Sequence, residues 1–140
     1  MGEIRVSVEL ENFGDRYMYL KKKLKREDEV RKYTLDALVD TGAVMLALPQ
    51  DIVETLGLEI LRTVVVTYAD ERRDERPVAG TVTIKIGKRF MNTDCIVGPP
   101  SSEALIGQVI LEELDLIPDS QRQTLTPRPE SPIYPSLKMK

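Results

Sequence analysis

Alternation of apolar and polar residues predicts that the chain is built mainly from β-strands. From Ile4 to Leu10 every second residue is apolar and the residues between are polar, which is the pattern of a strand with one buried face. Residues 12–15 are typical of a turn, and the charged segment 21–29 is expected to form a hairpin loop. Further strands are predicted at 17–20, 30–39, 60–68, 78–86 and 89–97.

Two short helices interrupt the strands. Pro49 lies at the start of the first and Gly57 just past its end, the usual placement of these residues around a helix. The second helix is predicted at about 108–116. The last twenty residues hold four of the nine prolines and predict an extended tail that does not pack. We therefore expect a mostly β, closed barrel-like domain at 1–126, with one or two short helices, and a proline-rich tail at 127–140.

Composition narrows the class of protein. The chain has 140 residues, a net charge of -3 and 41% hydrophobic residues, values that suit one folded domain and not a disordered or polyanion-binding protein. No apolar run has the length of a membrane span, so no membrane partner is expected. The first residues lack the pattern of a signal peptide, and a cytoplasmic location is therefore predicted.

The absence of histidine from the sequence restricts the available chemistry. Without histidine the chain cannot build a His-based triad, a Cys-His pair or a histidine metal site. Its single cysteine, Cys95, cannot form an intrachain disulfide and is expected to be a small core residue. Acid–base catalysis would fall to carboxylates, lysine or tyrosine, and no metal or other cofactor is expected.

Asp40, Thr41 and Gly42 form the strongest candidate for a catalytic site. An apolar strand runs directly into them, which would hold the Asp40 carboxylate rigidly at the mouth of a cleft. Two neighbouring carboxylates that share one proton can hydrolyse an amide, because the ionised one activates a water and the neutral one binds the carbonyl. The Asp-Thr-Gly triplet occurs once, so the second carboxylate would come from a second copy of the chain. The Thr41 hydroxyl would brace the loop, and Gly42 would allow backbones to approach closely.

Three features of the sequence follow one another in an order that indicates a known protein family. They are the segment 39–43 in an apolar strand, the helix after Pro49, and the triplet Leu105, Ile106, Gly107 before a second helix. In these features the chain resembles the retropepsin-like aspartic proteases, over roughly residues 4–126. The resemblance implies an acid-protease barrel that forms a homodimer, in which each copy gives one Asp and the triplet packs beside the catalytic loop.

The resemblance also implies a β-hairpin flap that closes over a peptide substrate. The flap would lie between Val66 and Val78, with Tyr68, Ala69 and Asp70 near its tip as substrate-binding residues. Two departures from the family pattern stand out. Residues 70–76 are all charged and contain no glycine, so substrate access is expected to be unusual or activity weak. Ala43, a loop-support position, replaces the serine of many relatives, and the loss of its hydrogen bond to the carboxylate predicts activity nearer neutral pH.

Other interpretations of these features remain open. Asp40 could be a turn carboxylate that closes a strand, with Thr41 and Gly42 as ordinary turn residues. The basic run 21–26 could bind nucleic acid, but residues 27–29 are acidic, so a solvated hairpin is favoured and no nucleic-acid partner is expected. We expect an aspartic endopeptidase. The alternative is a catalytically weak or inactive dimerisation or peptide-binding module with the same fold.

Overall fold

A computed structural model describes residues 3–23 and 26–139, which form nine strands and three short helices. Within these ranges no helix is long and apolar enough to cross a membrane. The helices are α1 (Phe13–Leu20), α2 (Gln50–Leu56) and α3 (Gln108–Leu114). The strands are β1 (Arg5–Asn12), β2 (Lys32–Val39), β3 (Leu46–Pro49), β4 (Glu59–Thr67), β5 (Arg73–Ile86), β6 (Arg89–Gly98), β7 (Leu105–Ile106), β8 (Leu116–Asp119) and β9 (Thr124–Pro127).

Six of the strands close into a barrel. Their order is β1-β2-β7-β3-β6-β5, and β5 pairs again with β1 to complete the circle. In the described part of the chain β4 pairs with β5 alone, so it forms an outer edge of the sheet and a hairpin with the first half of β5. This architecture confirms the prediction of a mostly β, closed barrel-like domain.

The alternation seen in the sequence produces the core. Val8 and Leu10 of β1 are each 1% exposed, and Leu10 lies opposite the fully buried Ile84 of β5. Each such side chain contributes about 1.5–3 kcal/mol to the free energy of unfolding by leaving water. Cys95 is a core residue, as predicted, and burial raises the pKa of its thiol to about 12. The thiol is therefore protonated and behaves as a small apolar side chain.

Residues 12–20 differ from the prediction of a turn followed by a strand. The Asn12 side chain accepts a hydrogen bond from the Asp15 amide at 2.9 Å, and helix α1 begins there. The Asp15 carboxylate accepts a hydrogen bond from Arg31 Nε at 2.8 Å, which ties the helix to the start of β2. The apparent turn is thus a helix N-cap, and both predictions for this segment are wrong. The fold has three helices instead of one or two.

The segment before β2 and the helix after β3 are closer to the prediction. Helix α2 ends at Leu56, and Gly57 follows with a φ of 65°, a conformation that is strained for residues with a side chain. The charged segment 21–29 forms a connection that includes a 3-10 turn at Glu27–Glu29. Leu24 and Lys25, which belong to the predicted hairpin loop and to the basic run, lie outside the described residues.

The C-terminal residues pack against the barrel. Strands β8 and β9 pair as an antiparallel hairpin, and Leu125 and Ser131 are buried. The buried Arg89 guanidinium donates hydrogen bonds to the carbonyls of Leu114, Asp115 and Ser131. The prediction that the last twenty residues form an unpacked tail is therefore wrong for Leu125 and Ser131. The boundary between a domain at 1–126 and a tail at 127–140 stays a prediction.

Asp115 binds the residues that follow the hairpin, 128–139, which we call the C-terminal segment. Its carboxylate accepts hydrogen bonds from the Arg128 guanidinium, from the Ser131 hydroxyl and from the Ser136 amide. These donors, with Arg128 the strongest, hold the pKa of the Asp115 carboxyl well below its usual range. One ionised side chain thus holds three positions of the C-terminal segment.

We expect Asp115→Asn to lower the unfolding temperature at neutral pH. Asparagine tolerates the φ of 58° at this position but lacks the charge that faces Arg128. The folded-state pKa lies below the unfolded value of about 4, so the carboxylate stabilises the fold above that pH and loses this effect as the pH falls below it. Thermal unfolding should therefore show the difference between wild type and variant shrinking below about pH 4.

The control for this measurement is Glu9→Gln, which removes a carboxylate from an exposed position of β1. It should leave the unfolding temperature nearly unchanged across the same range. A difference between wild type and Asp115→Asn that stays constant with pH would contradict the assignment of the stabilisation to the ionised carboxylate.

Candidate active site

The backbone of Asp40 is fixed by a neighbouring strand. Strand β2 ends at Val39 and runs parallel to β7, with Leu38 beside Leu105 and Val39 beside Ile106. The Asp40 amide donates a hydrogen bond to the Ile106 carbonyl at 3.0 Å, which extends the pairing past the end of the strand. The acid therefore follows a paired strand, and its position depends on β7.

The loop 40–43, which we call the acid loop, folds back on the Asp40 side chain. The Gly42 amide donates a hydrogen bond to Asp40 Oδ1 at 3.0 Å, and the Ala43 amide donates to the Asp40 carbonyl at 3.1 Å. A Cβ on Gly42 would lie 3.3 Å from the same carboxylate oxygen, so a larger residue would press on the acid. Asp40 is half-buried, whereas Thr41 and Gly42 are exposed. The loop thus presents a carboxylate in a fixed orientation at the protein surface.

Gly107 allows the start of helix α3 to lie against the acid loop. The Gln108 amide donates a hydrogen bond to the Ala43 carbonyl at 2.8 Å. A Cβ on Gly107 would lie 2.6 Å from the Met45 carbonyl oxygen and 2.8 Å from that of Val44, too close for any side chain. The triplet Leu105, Ile106, Gly107 therefore lies beside the acid loop, at the position that the resemblance implies.

The hairpin of β4 and β5 covers the part of the chain in which the flap is predicted. Its turn contains Tyr68, Ala69 and Asp70, and the Arg72 guanidinium lies 4.6 Å from the centroid of the Tyr68 ring. The Arg72 amide donates a hydrogen bond to Asp70 Oδ1 at 3.1 Å, so the turn is closed by its own residues. Among the described residues no hydrogen bond or ion pair joins this turn to the acid loop. A substrate-binding role for the turn stays a prediction.

Arg76 ties the hairpin to the barrel, and sequence analysis did not single it out. Its Nε donates a hydrogen bond to the Val97 carbonyl at 2.9 Å, near the end of β6. The pairing of β5 with β6 begins at Val78, so this bond holds the part of the hairpin that projects past the barrel. In the sequence Arg76 is one of seven consecutive charged residues, 70–76, and no sequence signal distinguishes it from the other six.

The arrangement can support acid–base chemistry. A carboxylate that is oriented by a backbone amide can take a proton from a water, provided that a second acid polarises the substrate. Within residues 3–23 and 26–139 no group of three or more Cys, Asp or Glu residues is placed to hold a metal ion.

The closed barrel, the acid loop beside β7 and the hairpin together define a retropepsin-like aspartic protease domain. The family model described as gag-polyprotein putative aspartyl protease matches residues 28–113, which is more than half of the chain. The chain therefore belongs to this family of retroviral-type aspartyl proteases. The matched part contains the acid loop, the hairpin and the 105–107 triplet. No curated protein sequence matches the chain.

We expect Gly107→Ala to destabilise the protein by about 1–3 kcal/mol, the usual cost of forcing an extra carbon into a packed site. The new Cβ would meet backbone atoms of Val44 and Met45, which cannot move without displacing the acid loop. Gly42→Ala is the matched comparison, because its Cβ would meet only the movable carboxylate oxygen of Asp40. Urea unfolding should show a large loss in the free energy of unfolding for Gly107→Ala and a small loss for Gly42→Ala. Equal losses of stability in the two variants would contradict the claim that the backbone of Val44 and Met45 leaves no room for a side chain at position 107.

Proposed function

We propose that the protein is an aspartic endopeptidase whose active site forms between two copies of the chain, with Asp40 from each. The observation that carries the proposal is the acid loop, where the Gly42 amide orients a half-buried carboxylate next to two exposed residues. Membership of an aspartyl protease family supports hydrolysis of peptide bonds as the reaction. A cytoplasmic location remains part of the proposal.

The proposed mechanism uses one proton shared by two Asp40 carboxylates. The ionised carboxylate takes a proton from a water, and the water oxygen bonds to the carbonyl carbon of the substrate. The protonated carboxyl donates its proton to the carbonyl oxygen, which gives a neutral tetrahedral intermediate. When the C–N bond breaks, the ionised carboxylate takes one hydroxyl proton of the intermediate and the protonated carboxyl gives its proton to the amine nitrogen. The products are a carboxylic acid and an amine, and the pair again holds one proton.

The neighbouring residues have distinct roles in this proposal. The Gly42 amide keeps one oxygen of Asp40 hydrogen-bonded, so the carboxylate does not rotate away from the water. Thr41 is exposed beside it and would meet the acid loop of the partner, since a twofold axis brings identical loops together. The hairpin turn with Tyr68, Ala69 and Asp70 would close over the extended peptide.

The second candidate function is a peptide-binding or dimerisation module with little or no activity. The observation that favours it is the hairpin, whose turn is closed by Tyr68, Asp70 and Arg72 and whose base is tied by Arg76. A hairpin held in this way would open slowly for substrate. A statine-type inhibitor separates the two functions, because a mimic of the tetrahedral intermediate binds a working pair of acids much more tightly than an inactive one.

Asp40→Asn should abolish hydrolysis of an unfolded protein such as reduced casein, because an amide cannot take a proton from water. The amide has nearly the same volume as the acid and can still accept the hydrogen bond from Gly42, so the fold and the dimer should persist. The measurements are casein cleavage across the pH range, circular dichroism and sedimentation. Undiminished cleavage by the variant would assign the activity to another site and reject the proposal.

Ala43→Ser should move the pH–rate profile toward acid. The added hydroxyl would donate a hydrogen bond to the carboxylate pair and favour its ionised forms, by about half a pH unit to one unit on the scale of one modest hydrogen bond. The profile itself should be bell-shaped, since activity needs one proton on the pair. Ala47→Ser, on β3 and outside the acid loop, is the matched control. A shift toward alkaline pH, or none, would mean that position 43 does not touch the acids.

A further inference from the structure

Helix α1 is attached to the barrel by polar side chains and leaves its apolar side chains in water. Asp15 is the one buried residue of this fully described helix, and its carboxylate binds Arg31. The Asn12 side chain, at the start of the helix, donates a hydrogen bond to the Leu56 carbonyl at 2.8 Å. In a helix that packs by hydrophobic contact the apolar residues face the core. Helix α1 has the reverse arrangement, so its apolar side chains are open to a partner.

Tyr17, Met18 and Leu20 form the exposed apolar face of α1. Their exposed fractions are 48%, 37% and 65%. The centroid of the Phe13 ring lies 6.2 Å from that of the Tyr17 ring, one turn earlier in the helix. Residues three and four apart are neighbours on a helix, so Phe13, Tyr17 and Leu20 follow one stripe. A contiguous exposed apolar patch is typical of a surface that meets another molecule.

Three lysines, residues 21–23, follow the helix directly, and we call them the basic turn. The Lys23 amide donates a hydrogen bond to the Met18 carbonyl at 3.1 Å, which closes the end of the helix. The Lys21 ammonium lies 5.6 Å from the centroid of the Tyr17 ring. All three lysines are exposed. The basic turn is therefore held beside the apolar face.

The acidic residues that follow do not neutralise the basic turn. From the sequence, the acids at 27–29 are expected to cancel part of the charge of the basic run. In the structure these acids bind other cations, in ion pairs of Glu27 with Arg16 and Lys32 and of Asp28 with Arg26. Within residues 3–23 and 26–139 no ion pair includes a lysine of the basic turn. Its positive charge is thus available to an anionic partner.

Helix α1 and the acid loop lie at opposite ends of strand β2. In the antiparallel pair of β1 and β2, Glu11 lies beside Lys32 and Arg5 beside Leu38. Helix α1 follows the last residue of β1, whereas the acid loop follows the last residue of β2. The eight residues of β2 separate the two by about 23 Å, at about 3.3 Å per residue. A molecule bound to α1 therefore leaves the acid loop accessible.

We propose that helix α1 and the basic turn bind the surface of an anionic lipid membrane. Tyr17, Met18 and Leu20 enter the boundary between headgroups and acyl chains, and the lysines contact the acidic headgroups. An apolar helical face beside lysines is the arrangement that surface-bound amphipathic helices use. The sequence-based expectation of no membrane partner considered only runs long enough to span a membrane, and binding at the surface does not need such a run.

The aromatic ring of this surface favours lipid over single-stranded nucleic acid. Lysines also attract phosphates, but recognition of single strands uses bases that stack on open aromatic faces. Lys21 lies over the Tyr17 ring, and the Phe13 ring packs beside it at an interplanar angle of 41°. The most exposed apolar side chain, Leu20, and its neighbour Met18 have no ring. Aliphatic side chains gain from entering a lipid layer and offer a base no stacking surface.

Sedimentation of the protein with lipid vesicles tests the charge of this surface. Wild type should bind vesicles of phosphatidylcholine that contain phosphatidylserine and should not bind vesicles of phosphatidylcholine alone. The double variant Lys22→Gln, Lys23→Gln should bind about thirtyfold more weakly, at about fivefold for each lysine near an anionic surface. The matched control is Lys85→Gln, Lys88→Gln, which removes the same charge from exposed positions of the β5–β6 hairpin and should leave binding unchanged.

A second pair of variants tests the apolar face. Leu20→Ser should weaken vesicle binding at least about tenfold, the scale of removing one large apolar side chain from a lipid contact. Phe90→Ser is the matched control, because Phe90 of β6 is 66% exposed against 65% for Leu20. It should leave vesicle binding unchanged. Both side chains are exposed, so the fold should persist in both variants, and circular dichroism checks this.

The outcomes decide between a lipid surface and the other partners. Failure of the wild type to bind anionic vesicles overturns the proposal, and so does an equal loss in the two double lysine variants. Unchanged binding by Leu20→Ser also overturns it, because a contact by charge alone does not use the helix. A fluorescent single-stranded oligonucleotide that binds the wild type, when the vesicles do not, assigns the basic turn to nucleic acid instead.

This inference goes beyond the proposed function and does not depend on it. Asp40→Asn should bind anionic vesicles as the wild type does, because its carboxylate lies at the other end of β2. The variant Lys22→Gln, Lys23→Gln should cleave casein at the wild-type rate when no vesicles are present. Loss of vesicle binding in Asp40→Asn, with its fold intact, would place the lipid contact at the acid loop and overturn the assignment to α1.

Discussion

The contact between Gly107 and the backbone of residues 44–45 is the constraint on which the site depends. With no side chain on Gly107, helix α3 starts directly against the segment that follows the acid loop, and the Gln108 amide bonds to the Ala43 carbonyl. Strand β7 is thereby held between β2 and β3, and its Ile106 carbonyl fixes the Asp40 amide. The orientation of the acid and the place of β7 in the closed barrel follow from this approach of two backbones.

Elements outside the barrel are attached by charged and polar side chains. Arg31 binds Asp15 and holds α1, Arg76 binds the Val97 carbonyl and holds the hairpin, and Arg89 holds the C-terminal segment through Ser131. The barrel interior itself is apolar, so it gains stability from area removed from water, without directional bonds. The peripheral elements gain less from burial, and directional bonds set their positions.

The difference between an apolar barrel and peripheral elements held by polar side chains explains which parts of the structure the sequence could predict. Alternation locates the barrel strands, and Pro49 and Gly57 mark the bounds of α2, because these signals act between near neighbours. Helix α1 was missed because Asn12 fits a turn and an N-cap equally well, and its second partner, the Leu56 carbonyl, is far along the chain. The C-terminal packing depends on the contact of Arg89 with Ser131, which no local pattern reveals. The acid loop was recognisable because its Asp, Thr and Gly are consecutive.

The edge position of β4 has a consequence for the behaviour of the protein at high concentration. One side of β4 has no neighbouring strand among the described residues, and Ile60, Leu61 and Val65 are all more than half exposed. An open, apolar edge is a template for strands of other molecules and hence for aggregation. Pairing along this edge would remove the charged side chains of Glu59 and Arg62, and those of the run 70–76 at its end, from water, which makes it unfavourable. The charges that distinguish this hairpin thus also act as gatekeepers of solubility.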